Sequence, residues 1–348
     1  MITSSTDYLG IASYAKDFDT TDGGGLNLAW TLDERSLLRL DMQSLVESDE
    51  VLRTELFWRY DVTDPYGGAT ICQAAQSFFG GGIASDQIFC AAGVSSMLHA
   101  LSMLVRKGLC ALMPTYPDLP SWVMRRGLPA IAAPLSDAID SCDLVLLENP
   151  GLFQSQSQID IDEICEQTGD RDIIVVVDEA NANYLSPQQS WVGKIDQHKN
   201  LVVVRGFSKA YGMGSLRVGV AFCSRAIKQR VQAVLPALAV TPVSLSIASA
   251  IWRAGDVGDV LRETIAMRRE QMVSMLSGTS IELLGTENPC LPYLFMRATS
   301  PSIAALSAGS IRGKFHTSFS DLTSERRVYR LSLPLSEARM LRLIALLS

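Results

Sequence analysis

A chain of 348 residues with 47% hydrophobic content is long enough for two domains, or for one large domain with an appendage, and can bury a substantial core. Its net charge of −7 excludes a surface built to hold nucleic acid or an anionic membrane, so a small-molecule partner is expected. Seven cysteines, at positions 72, 90, 110, 142, 165, 223 and 290, are odd in number and never spaced as C-x-x-C, the pattern of reduced thiols in a cytoplasmic protein without zinc or disulfides.

The first stretch, with Asp7, Lys16 and Asp17, lacks the basic-then-apolar layout of a signal peptide, so export is not expected. Gly23-Gly24-Gly25 marks a loop before Leu26-Asn27-Leu28-Ala29-Trp30. Tyr60 to Gly68 is rich in turn formers and precedes a helical pattern through Ile71, Ala74, Ala75 and Phe78. Gln87–Ala91 reads as a strand, after which Ala92-Gly93-Val94-Ser95-Ser96 opens a helix with apolar positions at Val94, Met97, Leu98, Leu101, Leu104 and Val105. A glycine turn followed by serines leaves backbone N–H groups and hydroxyls at a helix start, where an anion is welcome.

Leu109–Met113 is strand-like and ends in Pro114-Thr115-Tyr116-Pro117. Asp143–Leu147 is closed by Glu148-Asn149-Pro150-Gly151, and Asp172–Val177 by Asp178-Glu179-Ala180. A carboxylate ending a fully buried strand is costly without a cationic partner, which singles out Asp178. The apolar run Leu201–Val204 stops at a small-residue loop with Ser208 and Lys209 before a second run, Leu216–Cys223. A lysine between two buried strands is expected to be paired or to have a depressed pKa, which makes its amine nucleophilic toward a carbonyl. Arg217 supplies a permanent cation near the Ser208 hydroxyl, a combination suited to a phosphate.

Val231–Trp252 has no charged residue, but Pro236 and Pro242 break it, so two helices joined by a turn are expected rather than a membrane span. Residues 241–279 read as helices. They are followed by a strand at Tyr293–Met296, a helix around Ile303–Leu306, a strand at Val328–Leu333 and an amphipathic helix, Glu337–Leu347. Short apolar strands alternating with helices between residues 87 and 223 predict an α/β fold with a mostly parallel sheet covered on both faces. Functional residues are then expected at strand ends.

The segment Ser208-Lys209-x-x-Gly212-x-x-x-x-Arg217-x-Gly219 resembles the lysine segment of the fold-type I pyridoxal-phosphate (PLP) enzymes, in particular the class I/II aminotransferases close to histidinol-phosphate aminotransferase and threonine-phosphate decarboxylase. The resemblance runs in order through residues 60–335. It implies a large domain with a seven-stranded-type sheet over residues 46–240, a small α+β domain over 241–348, and an N-terminal arm, residues 1–45, that joins the small domain. It also implies that Lys209 forms the internal aldimine with pyridoxal 5'-phosphate and moves the proton, while Ser208, Arg217 and the turn Gly93-Val94-Ser95 hold the phosphate. Tyr116 would stack on the ring, Asn149 would reach the phenolic oxygen, and Asp178 would pair with the ring nitrogen. Ala180 and Asn181 would complete the ring site, although the family has a tyrosine where this chain has Asn181. The turn after Asn149-Pro150 departs as well, with Gly151 and Leu152 in place of threonine and glycine.

By the same resemblance Arg330, with Arg327 in reserve, would grip the substrate carboxylate, and Asn27 and Trp30 would lie at the mouth of the site. Tyr66, or alternatively Tyr60, would cross a homodimer to the partner's phosphate. The implied activity is that of an aminotransferase; a lyase, decarboxylase or cyclase on the same scaffold is the alternative. Few basic residues remain beyond this set, so a phosphorylated substrate is not expected.

Overall fold

A computed structural model describes residues 25–48, 60–112, 114–154, 159–316, 318–319 and 328–347; Met113 and Arg327 lie outside them. The strands are β1 (Leu26–Asn27), β2 (Ile88–Ala92), β3 (Leu109–Ala111), β4 (Ala130–Ala132), β5 (Leu144–Glu148), β6 (Ile174–Asp178), β7 (Leu201–Gly206), β8 (Val218–Cys223), β9 (Tyr293–Arg297), β10 (Ile311–Arg312), β11 (Lys314–His316) and β12 (Val328–Ser332). Seven of them form one sheet in the order β2-β8-β7-β6-β5-β3-β4. β8 runs against both of its neighbours, and the other pairings are parallel.

The central strands are apolar on both faces because helices cover both faces. Alternation along each strand divides their side chains between two cores. Val145, Leu147, Val175, Val177 and Val203 enter one core, while Leu144, Leu146, Ile174, Val176 and Val204 enter the other. This is the α/β arrangement read from the sequence, with strand ends displaced by one or two residues. β8 starts at Val218 rather than at Leu216 because Gly214–Leu216 forms a turn of 3-10 helix, and Arg217 then adopts a left-handed backbone with φ 52°.

Beyond this sheet lies a three-stranded antiparallel sheet, β11-β12-β9, and the short parallel pair β1-β10. Helices Pro242–Arg253, Asp259–Leu276, Ser300–Ala308 and Glu337–Leu347 belong to the same half of the sequence. The uncharged stretch resolves into helices Lys228–Ala233 and Pro242–Arg253, and among the described residues no helix is long and apolar enough to cross a membrane.

Candidate active site

A cavity of about 200 Å³ opens where the C-terminal ends of β5, β6 and β7 meet β11 and β12. Of the residues singled out in the sequence, Trp30, Val94, Ser95, Tyr116, Asp178, Ala180, Asn181, Ser208, Lys209, Arg217 and Arg330 all line it. They come from six separate stretches of chain: the ends of parallel strands β6 and β7 bring Asp178 and the lysine loop to one edge of the sheet, while Arg330 comes from β12 of the separate antiparallel sheet.

The phosphate-like corner is built by backbone. Helix Val94–Ser102 begins at Gly93 with no side chain capping its first N–H groups, so those donors stay open. Gly93 has φ 88°, and a Cβ on it would lie 2.3 Å from Arg217 Nη2, so any other residue would be strained there and would displace Arg217. Arg217 is held over this turn by hydrogen bonds from Nη1 to Gly214 O at 3.2 Å and from Nη2 to Ala92 O at 3.1 Å. Gly219 is equally constrained, since its Cβ would meet the Gly93 carbonyl carbon at 2.5 Å. Gly93 itself contributes shape rather than a surface to the cavity.

Asp178 ends β6 and is buried, with Oδ1 accepting from Ala180 N at 2.8 Å. Burial pushes its carboxyl up to about 6, the Ala180 N–H and Lys209 pull it down, and Asp118 and Glu179 push it further up. Lys209 is half-buried on a loop whose next residue, Ala210, has φ 58°. Asn183 Nδ2 donates to Gly206 O at 2.7 Å and to Lys209 O at 3.2 Å, fixing the loop from below. Glu34 approaches the same loop through Ala210 and accepts from the Tyr184 hydroxyl; burial raises its carboxyl to about 7.

At the far end Arg330 lies across the Tyr293 ring at 4.2 Å, with Nη2 donating to Ala29 O at 2.9 Å. Its buried Nε has no hydrogen-bond partner among the described residues. Register places Lys314 of β11 directly beside it. Burial, then Arg330, then Lys209 bring the Lys314 ammonium down to about 5; burial, then Arg330 and Lys314, bring His316 down to about 3.

Four residues named from the sequence lie elsewhere. Asn149 does not line the cavity: its Nδ2 donates to Glu179 Oε1 at 2.7 Å and to Gln189 O at 3.0 Å. The reason is alternation, since Glu148 shares a face with Asp178 and the next residue points to the opposite one. Asn27 is buried in β1, where its Oδ1 accepts from Ala29 N at 3.0 Å, so it shapes the turn toward Trp30 instead of lining the cavity. Tyr66 packs edge-on to Phe89 at 5.7 Å and, with the 84% exposed Tyr60, lines a separate cavity of about 500 Å³.

Sequence reasoning missed Glu148, Leu152, Gly206, Tyr293, Lys314 and His316, all of which line the site. Glu148 carried the same signal as Asp178, a carboxylate ending a buried strand, and was legible on that ground. Lys314-Phe315-His316 offered no apolar alternation by which to recognise a strand.

The sequence profile of the family described as "Aminotransferase class I and II" matches residues 155–343. The chain belongs to this family. Among related class I and II aminotransferases, histidinol-phosphate aminotransferase 1 of Bordetella parapertussis is 26% identical over 246 residues, 65% of this chain and 67% of that protein. A histidinol-phosphate aminotransferase of Listeria monocytogenes is 38% identical over 78 residues, but these span only 22% of either chain. The fold matches the L-threonine-O-3-phosphate decarboxylase of Porphyromonas gingivalis with a TM-score of 0.70 and 18% identity, covering 92% of this chain and 98% of that one. It also matches a histidinol-phosphate aminotransferase of Sinorhizobium meliloti in complex with pyridoxal-5'-phosphate, with a TM-score of 0.69 and 16% identity over 99% and 95% of the two chains.

The cofactor of this aminotransferase family is pyridoxal 5'-phosphate, and the residues present fit it. The Gly93–Arg217 cradle and the uncapped helix start suit a phosphate, and the buried Asp178 needs the positive partner that a protonated ring nitrogen provides.

Proposed function

We propose that the protein is a PLP-dependent aminotransferase that acts on an amino acid, with Lys209 as the residue that carries the cofactor. The observation that supports this reading best is the convergence of Lys209, Asp178, Ser95, Ser208, Arg217 and Arg330 on one cavity. When bound, the cofactor supplies an electron sink for the charge that develops at the substrate Cα.

The remaining work falls to the chain. Ser95, Ser208, Arg217 and the N–H groups opening helix Val94–Ser102 bind the phosphate. Asp178, ionised, holds the proton on the ring nitrogen, and the Ala180 N–H keeps its carboxylate aimed. Tyr116 gives the ring an aromatic face. The Lys209 amine takes the proton from the substrate Cα and delivers it to the cofactor's C4′, on the far side of the substrate nitrogen, a transfer that needs a base tethered close to both positions. Arg330, stacked on Tyr293 with an open Nε, offers its fork to the α-carboxylate. A firm grip on the carboxylate favours proton removal over its loss, which places transamination ahead of decarboxylation. The reading includes a homodimer in which Tyr66 or Tyr60 reaches the partner's phosphate, and an active monomer in sedimentation would remove that part of it.

Borohydride reduction followed by peptide mapping should leave the pyridoxyl tag on Lys209. With an amino donor and no keto acid, the amine form of the cofactor should accumulate. A tag elsewhere defeats the assignment of Lys209; consumption of the amino acid with the cofactor unchanged would make the protein a lyase or decarboxylase.

A further inference from the structure

Glu148 is the carboxyl for which the proposed chemistry has no use. It ends β5 in register with Asp178 at the end of β6, so both side chains leave the sheet on one face and both line the cavity. Oε1 accepts from Tyr116 N at 2.6 Å and the Leu152 N–H also pulls on this carboxyl, whereas Oε2 is buried without a hydrogen-bond partner of good geometry among the described residues. Such an orphan oxygen costs stability unless a ligand satisfies it. Two carboxyl groups side by side in a dry site do not both ionise, and burial, reinforced by Asp178, lifts Glu148 to about 8.

We propose that Glu148, in its protonated form, donates a hydrogen bond from Oε2 to the phenolic oxygen of the cofactor ring. This rests on the PLP reading given above. A protonated ring nitrogen is itself a donor and is taken by Asp178, so the phenolic oxygen is the ring acceptor left for an acid. Asn149, to which the family resemblance assigns that oxygen, is turned to the other face and committed to Glu179 and Gln189. The Leu152 side chain, also on the cavity wall, is apolar, and its backbone N–H is directed at Glu148. The titratable and charged groups around Glu148 are Asp178 on the neighbouring strand, Asp118 on helix Asp118–Arg125, Lys209 on its loop, and Lys314, His316 and Arg330 across the cavity. Of these Asp178 is the one that pushes Glu148 toward protonation, and Asp118 acts on Asp178 in the same sense.

The test compares the wild-type holoenzyme with Glu148→Gln and Glu148→Leu. The readouts are PLP dissociation, pH titration of the absorbance of the bound cofactor, and the infrared band of a protonated carboxylic acid. Glutamine keeps a neutral donor, so its PLP affinity and titration should stay near wild type, while the infrared band loses the Glu148 share, read as the difference from wild type because Glu34, raised to about 7, adds to both spectra. Leucine should weaken PLP by about tenfold, the worth of one hydrogen bond, and shift the titration. A leucine variant with unchanged affinity and titration overturns the proposal, as does a wild-type holoenzyme without the infrared band; the latter result decides the matter even if the leucine variant does not fold. Failure of wild type to bind PLP at all would instead sink the reading on which this one stands.

Discussion

Arg205 and Glu179 form an ion pair at 3.0 Å with almost no exposure to solvent, on the face of the sheet opposite the carboxyls of Glu148 and Asp178. Arg205 also donates from Nη2 to Asn183 Oδ1 at 2.7 Å, and Asn183 in turn holds the backbone of Gly206 and Lys209. Glu179 gathers Asn149, Ser190 and the Trp191 N–H. The pair therefore ties the β5 turn to the lysine loop from behind.

Removing one partner leaves the other as an uncompensated buried charge. Arg205→Ala should destabilise the protein by about 3–5 kcal/mol, read as a shift of the urea midpoint. A loss well under 1 kcal/mol would mean that the pair does not organise this loop. The double variant Arg205→Met with Glu179→Gln should recover part of the stability, since no lone charge remains.

Gly93→Ala tests the phosphate corner. The added methyl would collide with Arg217 Nη2 and would also force an L-residue to φ 88°. PLP dissociation should increase by at least about tenfold, because Arg217 must move off the turn that the phosphate shares with it. Urea midpoints should move far less than for Arg205→Ala, since helix Val94–Ser102 can still form. Unchanged PLP affinity would show that the phosphate is held elsewhere.

What could be read from the sequence and what could not divide along a physical line. β5, β6 and β7 announce themselves because strands buried on both faces need unbroken apolar runs, and each run stops where a polar side chain enters the site. Asp178 and Lys209 are legible for that reason, and Arg217 because it stands just before the next apolar run, β8. Asn149 was misplaced because a turn motif does not tell which of two successive residues faces the cavity; that is set by the register of Glu148 with Asp178. Lys314 and His316 were missed because β11 is three residues long with a polar, partly exposed pattern, and β12 alone brings it to the site. β4 was missed similarly, as Ala130–Ala132 is an edge strand with little burial.

Asp178→Asn separates binding from chemistry. The amide keeps the shape of the carboxyl and loses its charge, so the ring nitrogen has no counter-ion and the electron sink weakens. PLP should remain bound, while turnover should fall by at least about a hundredfold, as when a charge-stabilising group is removed from an active site. Near-normal turnover in that variant would remove Asp178 from its role.

The apoprotein carries buried carboxyls whose folded pKa values lie above the ordinary value of about 4.5 for glutamate: Glu34 at about 7 and Glu148 at about 8. The folded state thus holds more protons than the unfolded chain between these limits, so stability falls as pH rises through the window. It is greatest below the unfolded pKa, as far as these two groups are concerned, and the contribution is lost above about 8. The urea midpoint of the apoprotein should therefore decline from mildly acid to mildly alkaline pH, and Glu34→Gln and Glu148→Gln should each flatten the slope. A flat wild-type profile, or a rising one, would contradict the protonated state of both groups.

Arg330 is the cation on which the choice of reaction turns. Its guanidinium is oriented by the Tyr293 ring beneath it and by the Ala29 carbonyl at one end, and its buried Nε has no hydrogen-bond partner among the described residues. Lysine at this position keeps the charge but cannot make two parallel hydrogen bonds in a fixed plane. Arg330→Lys should therefore bind PLP as wild type does, raise KM for the amino acid by about tenfold or more, and lower kcat as well because the bond to be broken is no longer held in line. A carboxylate less firmly gripped is also freer to leave, so the ratio of carbon dioxide released to keto acid formed should rise in the variant. If KM and that ratio both stay at their wild-type values, the substrate carboxylate is held by another group, for which Lys314, next to Arg330 in register, is the candidate to replace first.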